Sequence, residues 1–227
     1  MDESANKQAA INAVKGRRSI RRFLPTPVVD DTVMEILAIA ARAPSGQNMQ
    51  PWLVHFVSGE TREALCREVT AAAAADERND DYPYFPAEIR EPYLSRRRKV
   101  GFDLFGIYGI DRHDLEGRKA ALLRNFEFFG APVGLFFTME RDWGLGAWID
   151  VGNYMMNVMT VARAYGLETC PQQAWAEYAP PVRAVLNVPD HQVIVSGMAL
   201  GYADYDAPEN QLVTERASLE EFVIRHY

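Results

Sequence analysis

The sequence predicts one domain of α/β or α+β packing over residues 1–227, and three observations carry that expectation. Short apolar runs at Leu53–Val57, Val133–Met139 and Val193–Tyr202 read as core strands and alternate with longer stretches at helical spacing. Gly16, Pro44, Gly130-Ala131-Pro132 and Gly166 stand where those stretches change character. The 227 residues are 48% hydrophobic and 24% charged, enough for a sizeable core, and no repeat, low-complexity segment or convincing linker interrupts them.

In order, Ala5–Val14 carries a helical stripe that Gly16 can end, which leaves Arg17–Arg22 on a loop. Asp30 or Asp31 can cap a second helix, built on Val33, Ile36, Leu37, Ala40 and Ala41 and stopped by Pro44. Leu53–Val57 follows as a buried strand and Thr61–Asp76 as an Ala-rich helix. Asn79–Pro92, with Pro83, Pro86 and Pro92 among Tyr82, Tyr84, Phe85 and Tyr93, reads as an ordered irregular loop suited to a lid or dimer arm. Ser95–Tyr108 and Asp114–Phe129 read as helices, and Val133–Met139 as a strand. Ala147–Tyr165 is apolar all round, the pattern of a central or interface helix. A turn at Leu167–Gln173, a short helix around Arg183 and Val185, the strand Val193–Tyr202 and a polar tail complete the chain.

The formal charge of −7 disfavours nucleic acid, whose phosphates demand a broad basic surface. Met1–Lys7 lacks the cationic start and apolar core of a signal peptide. The longest uncharged run, near Val151–Ala162, is short of the roughly 20 apolar residues that span a bilayer, so a soluble cytoplasmic protein is expected. The two cysteines, Cys66 and Cys170, are too few for a disulfide scaffold, and neither they nor the histidines show metal-ligand spacing.

Against that acidic background, Gly16-Arg17-Arg18-Ser19-Ile20-Arg21-Arg22-Phe23 concentrates cations. Arg17, Arg18 and Arg21, with the Ser19 hydroxyl among them, can make charge-assisted hydrogen bonds to a phosphate monoester. On this stretch alone a solvated basic face is the alternative. A second motif follows at Ala43-Pro44-Ser45-Gly46-Gln47-Asn48-Met49-Gln50-Pro51-Trp52, between the second helix and the first strand.

Together the two motifs resemble the nitroreductase family of FMN-dependent oxidoreductases, especially the branch that reduces nitroaromatics such as nitrobenzoate, and the resemblance runs over nearly the whole chain. It implies an α+β sandwich with a central mixed sheet flanked by helices, assembled as an intertwined homodimer with FMN at the interface. The resemblance further implies NADH or NADPH as electron donor, a nitroaromatic or quinone as acceptor, and ping-pong turnover through the flavin without a catalytic side chain or metal. Residue by residue, it implies that Arg17, Arg18, Ser19 and Arg21 hold FMN, with Arg21 near the polar edge of the ring. Pro44, Ser45 and Asn48 would reach the cofactor across the subunit boundary, and Arg216 would complete the phosphate cage. Pro171, Gln172, Gln173 and Ala174 would present backbone amides to the ring, although family members often have Gly where Ala174 stands. Thr214 occupies a position where some relatives carry a further cation, a loss that Arg18 can offset.

Other readings stay open at this stage. Deiodinase relatives share the Ala-Pro-Ser-Gly turn, which admits reductive dehalogenation, and a flavin carrier, a flavin-dependent regulator or an unliganded interaction protein are non-enzymatic alternatives. Arg96-Arg97-Arg98-Lys99 could attract an acidic substrate or the phosphates of NAD(P)H. Trp52, Phe128 and Phe129 read foremost as core, His55 as a buried or edge histidine, and Cys170 as a structural thiol.

Overall fold

A computed structural model describes residues 3–227, so the first two residues of the amino-terminal stretch read above, and of the expected 1–227 domain, lie outside the described residues. Among the described residues eight α-helices surround four strands: α1 (Glu3–Gly16), α2 (Asp30–Ala40), β1 (Leu53–Val57), α3 (Gly59–Ala74), α4 (Tyr93–Ile107), α5 (Leu115–Leu123), β2 (Val133–Glu140), α6 (Leu145–Ala164), β3 (Glu168–Gln172), α7 (Ala179–Leu186), β4 (Gln192–Gly201) and α8 (Leu219–Phe222). The strands form one sheet in the order β1-β2-β4-β3. Every pair among them is antiparallel, where a mixed sheet was expected. Parallel pairing is confined to the isolated bridges Ser19 with Thr169 and Asn79 with Tyr178. Segregated helices on an antiparallel sheet make this α+β.

Each face of the sheet carries its own core. One holds Trp175, Phe126, Phe128 and Phe136 with Leu65 and Val69 of α3 and Val182 of α7. The other packs Val33 and Ile36 of α2 and Val151, Tyr154 and Val158 of α6 against Leu135, Phe137 and Leu200. A register shift between Phe137 and Thr138 leaves Val195 of β4 unpaired as a bulge, after which the inward-facing parity of β4 changes from Val193 and Val195 to Met198 and Leu200. The Val195 carbonyl accepts from the Tyr82 hydroxyl at 2.6 Å and from Gln173 Nε2 at 3.2 Å. A sheet irregularity therefore anchors both the Asn79–Pro92 segment and the loop after β3.

Several boundaries differ from expectation for identifiable reasons. Leu167–Gln173 is not a simple turn: Glu168–Gln172 forms β3, with Pro171 opposite Met198. Proline is tolerated because β3 is an edge strand with only one neighbour to serve. β1 is the other edge and only partly buried, with Leu53 at 45% exposure. The helix expected through Phe129 ends at Leu123, because Phe128 and Phe129 adopt left-handed backbone (φ 52° and 53°) inside a 3-10 turn at Arg124–Gly130. That conformation is unfavourable for bulky residues and persists here because it buries both rings, Phe128 stacking on Trp175 at 4.5 Å. Val29, rather than either aspartate, sits at the N-cap of α2, leaving Asp30 and Asp31 in the first turn to complement the helix dipole. His55 is half-buried on β1 and shares a 3.3 Å hydrogen bond with Thr138 Oγ1, and its pKa is lowered by burial. None of the described helices is long and apolar enough to cross a membrane.

Candidate functional site

The loop after α1 runs beside the free edge of β3. Ser19 bridges Thr169, and the Ile20 amide donates to the Thr169 carbonyl at 3.1 Å. Its entry is fixed from α6: Arg163 Nη1 donates to the Gly16 carbonyl and to Glu168 Oε1, both at 2.6 Å. Tyr205 donates to the same carboxylate oxygen at 2.9 Å. A Cβ on Gly16 would lie 2.5 Å from Arg163 Nη2, so a larger residue here would displace the Arg163 guanidinium from its partners. The exit is fixed from the C-terminal segment, where the Arg21 amide donates to Asn210 Oδ1 at 2.7 Å.

Between these anchors opens a cleft of about 950 Å³. Arg17, Arg18, Ser19 and Arg21 line one wall, Met156 and Met159 of α6 and Pro171 give it apolar surface, and Leu212–Thr214 and Arg216 close the other side. Among the described residues no aspartate or glutamate lines it. Among the described residues, Lys15, Arg17, Arg18, Arg21 and Arg216, five lining cations, make no ion pair; Arg163, the sixth, is neutralised by Glu168. Arg216 Nη1 is held by Thr214 Oγ1 at 2.8 Å, so the threonine that replaces a cation steers the one that remains. A smaller compartment of about 210 Å³ adjoins the cleft, sharing Arg21 and Pro171 and walled by Tyr108, Leu122, Asn125 and Phe129.

Arg17, Arg18, Ser19, Arg21, Pro171 and Arg216 thus come together as expected. Gln172, Gln173 and Ala174 do not line the cleft. Gln172 Nε2 donates to the Asn125 carbonyl at 2.7 Å, Gln173 Nε2 to the bulge carbonyl of Val195, and Ala174 packs on the Trp175 core. Pro44, Ser45 and Asn48 also lie away from it. Ser45 Oγ accepts from the Gln50 amide at 3.0 Å, Asp150 of α6 accepts from the Gly46 amide at 3.1 Å, and Gln47, Asn48 and Gln50 all take left-handed backbone. Beside this strained turn, Met49, Leu53, Leu145 and Ile149 are exposed, the last two at 84% and 67%.

Other residues weighed above have partners within the fold. Trp52 stacks on Tyr154 at 4.8 Å, and Tyr82 packs edge-on against Trp148 at 4.5 Å. Burial pushes the Cys170 thiol up, against the opposing influence of Arg21, Ser19 and Arg17, which disfavours a thiolate. Arg96 pairs with Glu221 at 2.8 Å and Lys99 with Asp103 and Glu215, while Arg97 lies over Phe85. Among the described residues no cluster of three His, Cys, Asp or Glu could hold a metal ion. Sequence reasoning missed Arg124, Arg163, Tyr205, Glu209 and Asn210, which shape the cationic wall from elements distant in the chain.

The family model for the nitroreductase family matches residues 14–202. A nitrobenzene nitroreductase from Ectopseudomonas oleovorans is 40% identical over 211 residues, 92% of this chain and 93% of the relative. A 4-nitrobenzoate reductase from Pseudomonas putida is 39% identical over 209 residues, 92% of each. The crystal structure of the FMN and NADPH-dependent nitroreductase NfnB from sphigopyxis sp. strain HMH superposes with a TM-score of 0.93 at 38% identity, covering 96% of this chain and 99% of that one.

Proposed function

The chain belongs to the nitroreductase family, and we propose on that premise that it is an FMN-dependent oxidoreductase that takes electrons from NADPH or NADH and reduces nitroaromatics or quinones. The observation that carries this reading is the set of carboxylate-free cations around the 950 Å³ cleft. FMN ends in a dianionic phosphate monoester and extends through a ribityl chain to a planar ring, and the cleft offers guanidinium forks, a serine hydroxyl and apolar methionine surface in one continuous wall. When bound, FMN supplies the chemistry of accepting a hydride and passing electrons on.

The protein's contribution is placement and charge. Arg17, Arg18, Ser19 and Arg216 would bind the phosphate, and Arg21, which lines the cleft with Pro171, would stabilise negative charge on the ring edge. The backbone of Pro171–Ala174 orients the ring, since the side chains of Gln172 and Gln173 are committed inward. Pro44, Ser45 and Asn48 would act from a second copy of the chain, because they do not line their own cleft and the apolar surface of Met49, Leu53, Leu145 and Ile149 beside them calls for a cover. Donor and acceptor then occupy one cleft in turn, which gives ping-pong kinetics. The nitro substrates in the names of the relatives favour nitro reduction over dehalogenation.

Heat-released cofactor from the purified protein is expected to be FMN, about one per subunit. NADPH or NADH oxidation with 4-nitrobenzoate and with a quinone is expected to give parallel double-reciprocal lines. Exclusive FAD, or no flavin bound after incubation with FMN, would overturn the reading.

A further inference from the structure

The stretch that lines the cleft contains two consecutive arginines, Arg21 and Arg22, and only Arg21 faces it. What separates them is a pair of buried residues 187 to 189 positions downstream, in the 3-10 turn Pro208–Gln211. Asn210 is 1% exposed and uses its whole amide on this stretch: Oδ1 accepts from the Arg21 amide at 2.7 Å, and Nδ2 donates to the carbonyls of Arg22 at 2.7 Å and Asp204 at 2.8 Å. Glu209, 3% exposed, pairs with Arg22 Nε at 3.3 Å and Arg124 Nη2 at 2.9 Å. The same Arg124 nitrogen donates to the Arg21 carbonyl at 2.8 Å.

Both backbone polar groups of Arg21 are therefore held by side chains, from Asn210 and Arg124, in place of a strand neighbour. Among the described residues its guanidinium has a single bond, Nη1 to the Ser19 carbonyl at 3.3 Å, which leaves its other donors open to a ligand. Arg22, by contrast, is drawn away by the one buried carboxylate nearby. Buried amides with every donor and acceptor satisfied specify one arrangement strongly, since any alternative leaves polar groups unpaired.

We propose that Asn210, supported by Glu209 and Arg124, is a positioning residue that fixes Arg21 as the ring-edge cation of the cofactor cleft and keeps Arg22 out of it. The inference rests on the FMN reading above and deepens it. Asn210 touches no reactant; it acts through the backbone of Arg21, so its effect on the cofactor must vanish when Arg21 is already gone.

The test is a double-mutant cycle on apoprotein reconstituted with FMN, reading both the FMN dissociation constant and the midpoint potential at saturating FMN. Asn210→Ala is expected to weaken FMN about tenfold, the order of one net hydrogen bond, and to lower the midpoint potential as the nearby positive charge loses its place. Added to Arg21→Ala it should change neither quantity further, whereas added to Arg17→Ala it should keep its full effect. Equal effects of Asn210→Ala in wild-type and Arg21→Ala backgrounds would reduce it to a structural residue and overturn the proposal, as would no effect in wild type. If Asn210→Ala does not accumulate folded, Asn210→Ser carries the same cycle. Wild-type protein that binds no FMN would instead overturn the functional reading, and this inference with it.

Discussion

At the cleft, the guanidiniums of Arg17, Arg18, Arg21 and Arg216 stand without a carboxylate among the described residues, whereas on α4 two of the four cations of Arg96–Lys99 pair with the chain's own acids, Arg96 with Glu221 and Lys99 with Asp103 and Glu215, and Arg97 lies over Phe85. Cation density is similar in the two stretches. The difference lies in where the matching anion comes from: Asp103 of α4 itself and Glu215 and Glu221 of the C-terminal segment supply it to Arg96 and Lys99, and the cleft is open to one from outside. The C-terminal segment serves both places, because Arg216, on the cleft, follows directly on Glu215. Charge that the fold leaves unpaired in a concavity is the part that carries function.

A third arginine group sharpens that contrast and gives the largest expected effect. Arg141 and Arg183 converge on Asp81, whose side chain is 6% exposed, at 2.6 Å and 2.7 Å, and the Ile194 amide adds a third donor at 2.6 Å. Asp81→Ala strands these cations and should cost about 3–5 kcal/mol of unfolding free energy, read from denaturant titration. Burial alone would raise the Asp81 pKa, but hydrogen bonds from Arg183, Arg141 and Ile194 outweigh it and hold the carboxyl below its ordinary value. The stability from this lowered pKa is fully present above the unfolded carboxyl's pKa and is lost as pH falls through the lower folded one, and Asp81→Asn should flatten that acid limb.

Next in size is Arg17→Ala, which should weaken FMN by about 1.5–3 kcal/mol if one charge-assisted hydrogen bond is lost, against a much smaller change for Arg96→Ala. Equal losses in a fluorescence titration would erase the distinction between the two stretches. Smaller still is the effect of salt: the cleft is open to solvent, so raising ionic strength from about 0.05 M to about 0.5 M should weaken FMN binding several-fold. The smallest is Lys99→Ala, an exposed pair on α4, for which no more than a marginal shift in melting temperature is expected by calorimetry.

The sequence motifs located the cleft more fully than the fold that makes it. Arg17, Arg18 and Arg21, with Ser19 among them, were legible as a cation cluster in an acidic chain, Arg216 only through the family resemblance, and the apolar strands β2 and β4 because both faces are buried. β3 was not, since Glu-Thr-Cys-Pro-Gln shows neither apolar alternation nor a residue liked by strands at Pro171. Nor were the left-handed Phe128 and Phe129, where burial overrides local preference. Glu209 and Asn210 sit in a polar tail, and their partners lie across almost the whole chain, a distance that no local periodicity reports. The second-motif residues Pro44, Ser45 and Asn48 were legible as a turn, but their distance from their own cleft appears only in three dimensions.

The most direct measurement is the affinity of the apoprotein for FMN relative to riboflavin, which differs only in lacking the phosphate, in wild type and in Arg17→Ala. A cleft whose cations read a phosphate monoester should bind FMN at least about a hundredfold more tightly than riboflavin, as two charge-assisted hydrogen bonds would give, and most of that preference should disappear in Arg17→Ala. Riboflavin binding as tightly as FMN, or a preference untouched by Arg17→Ala, would contradict the assignment of the cationic wall.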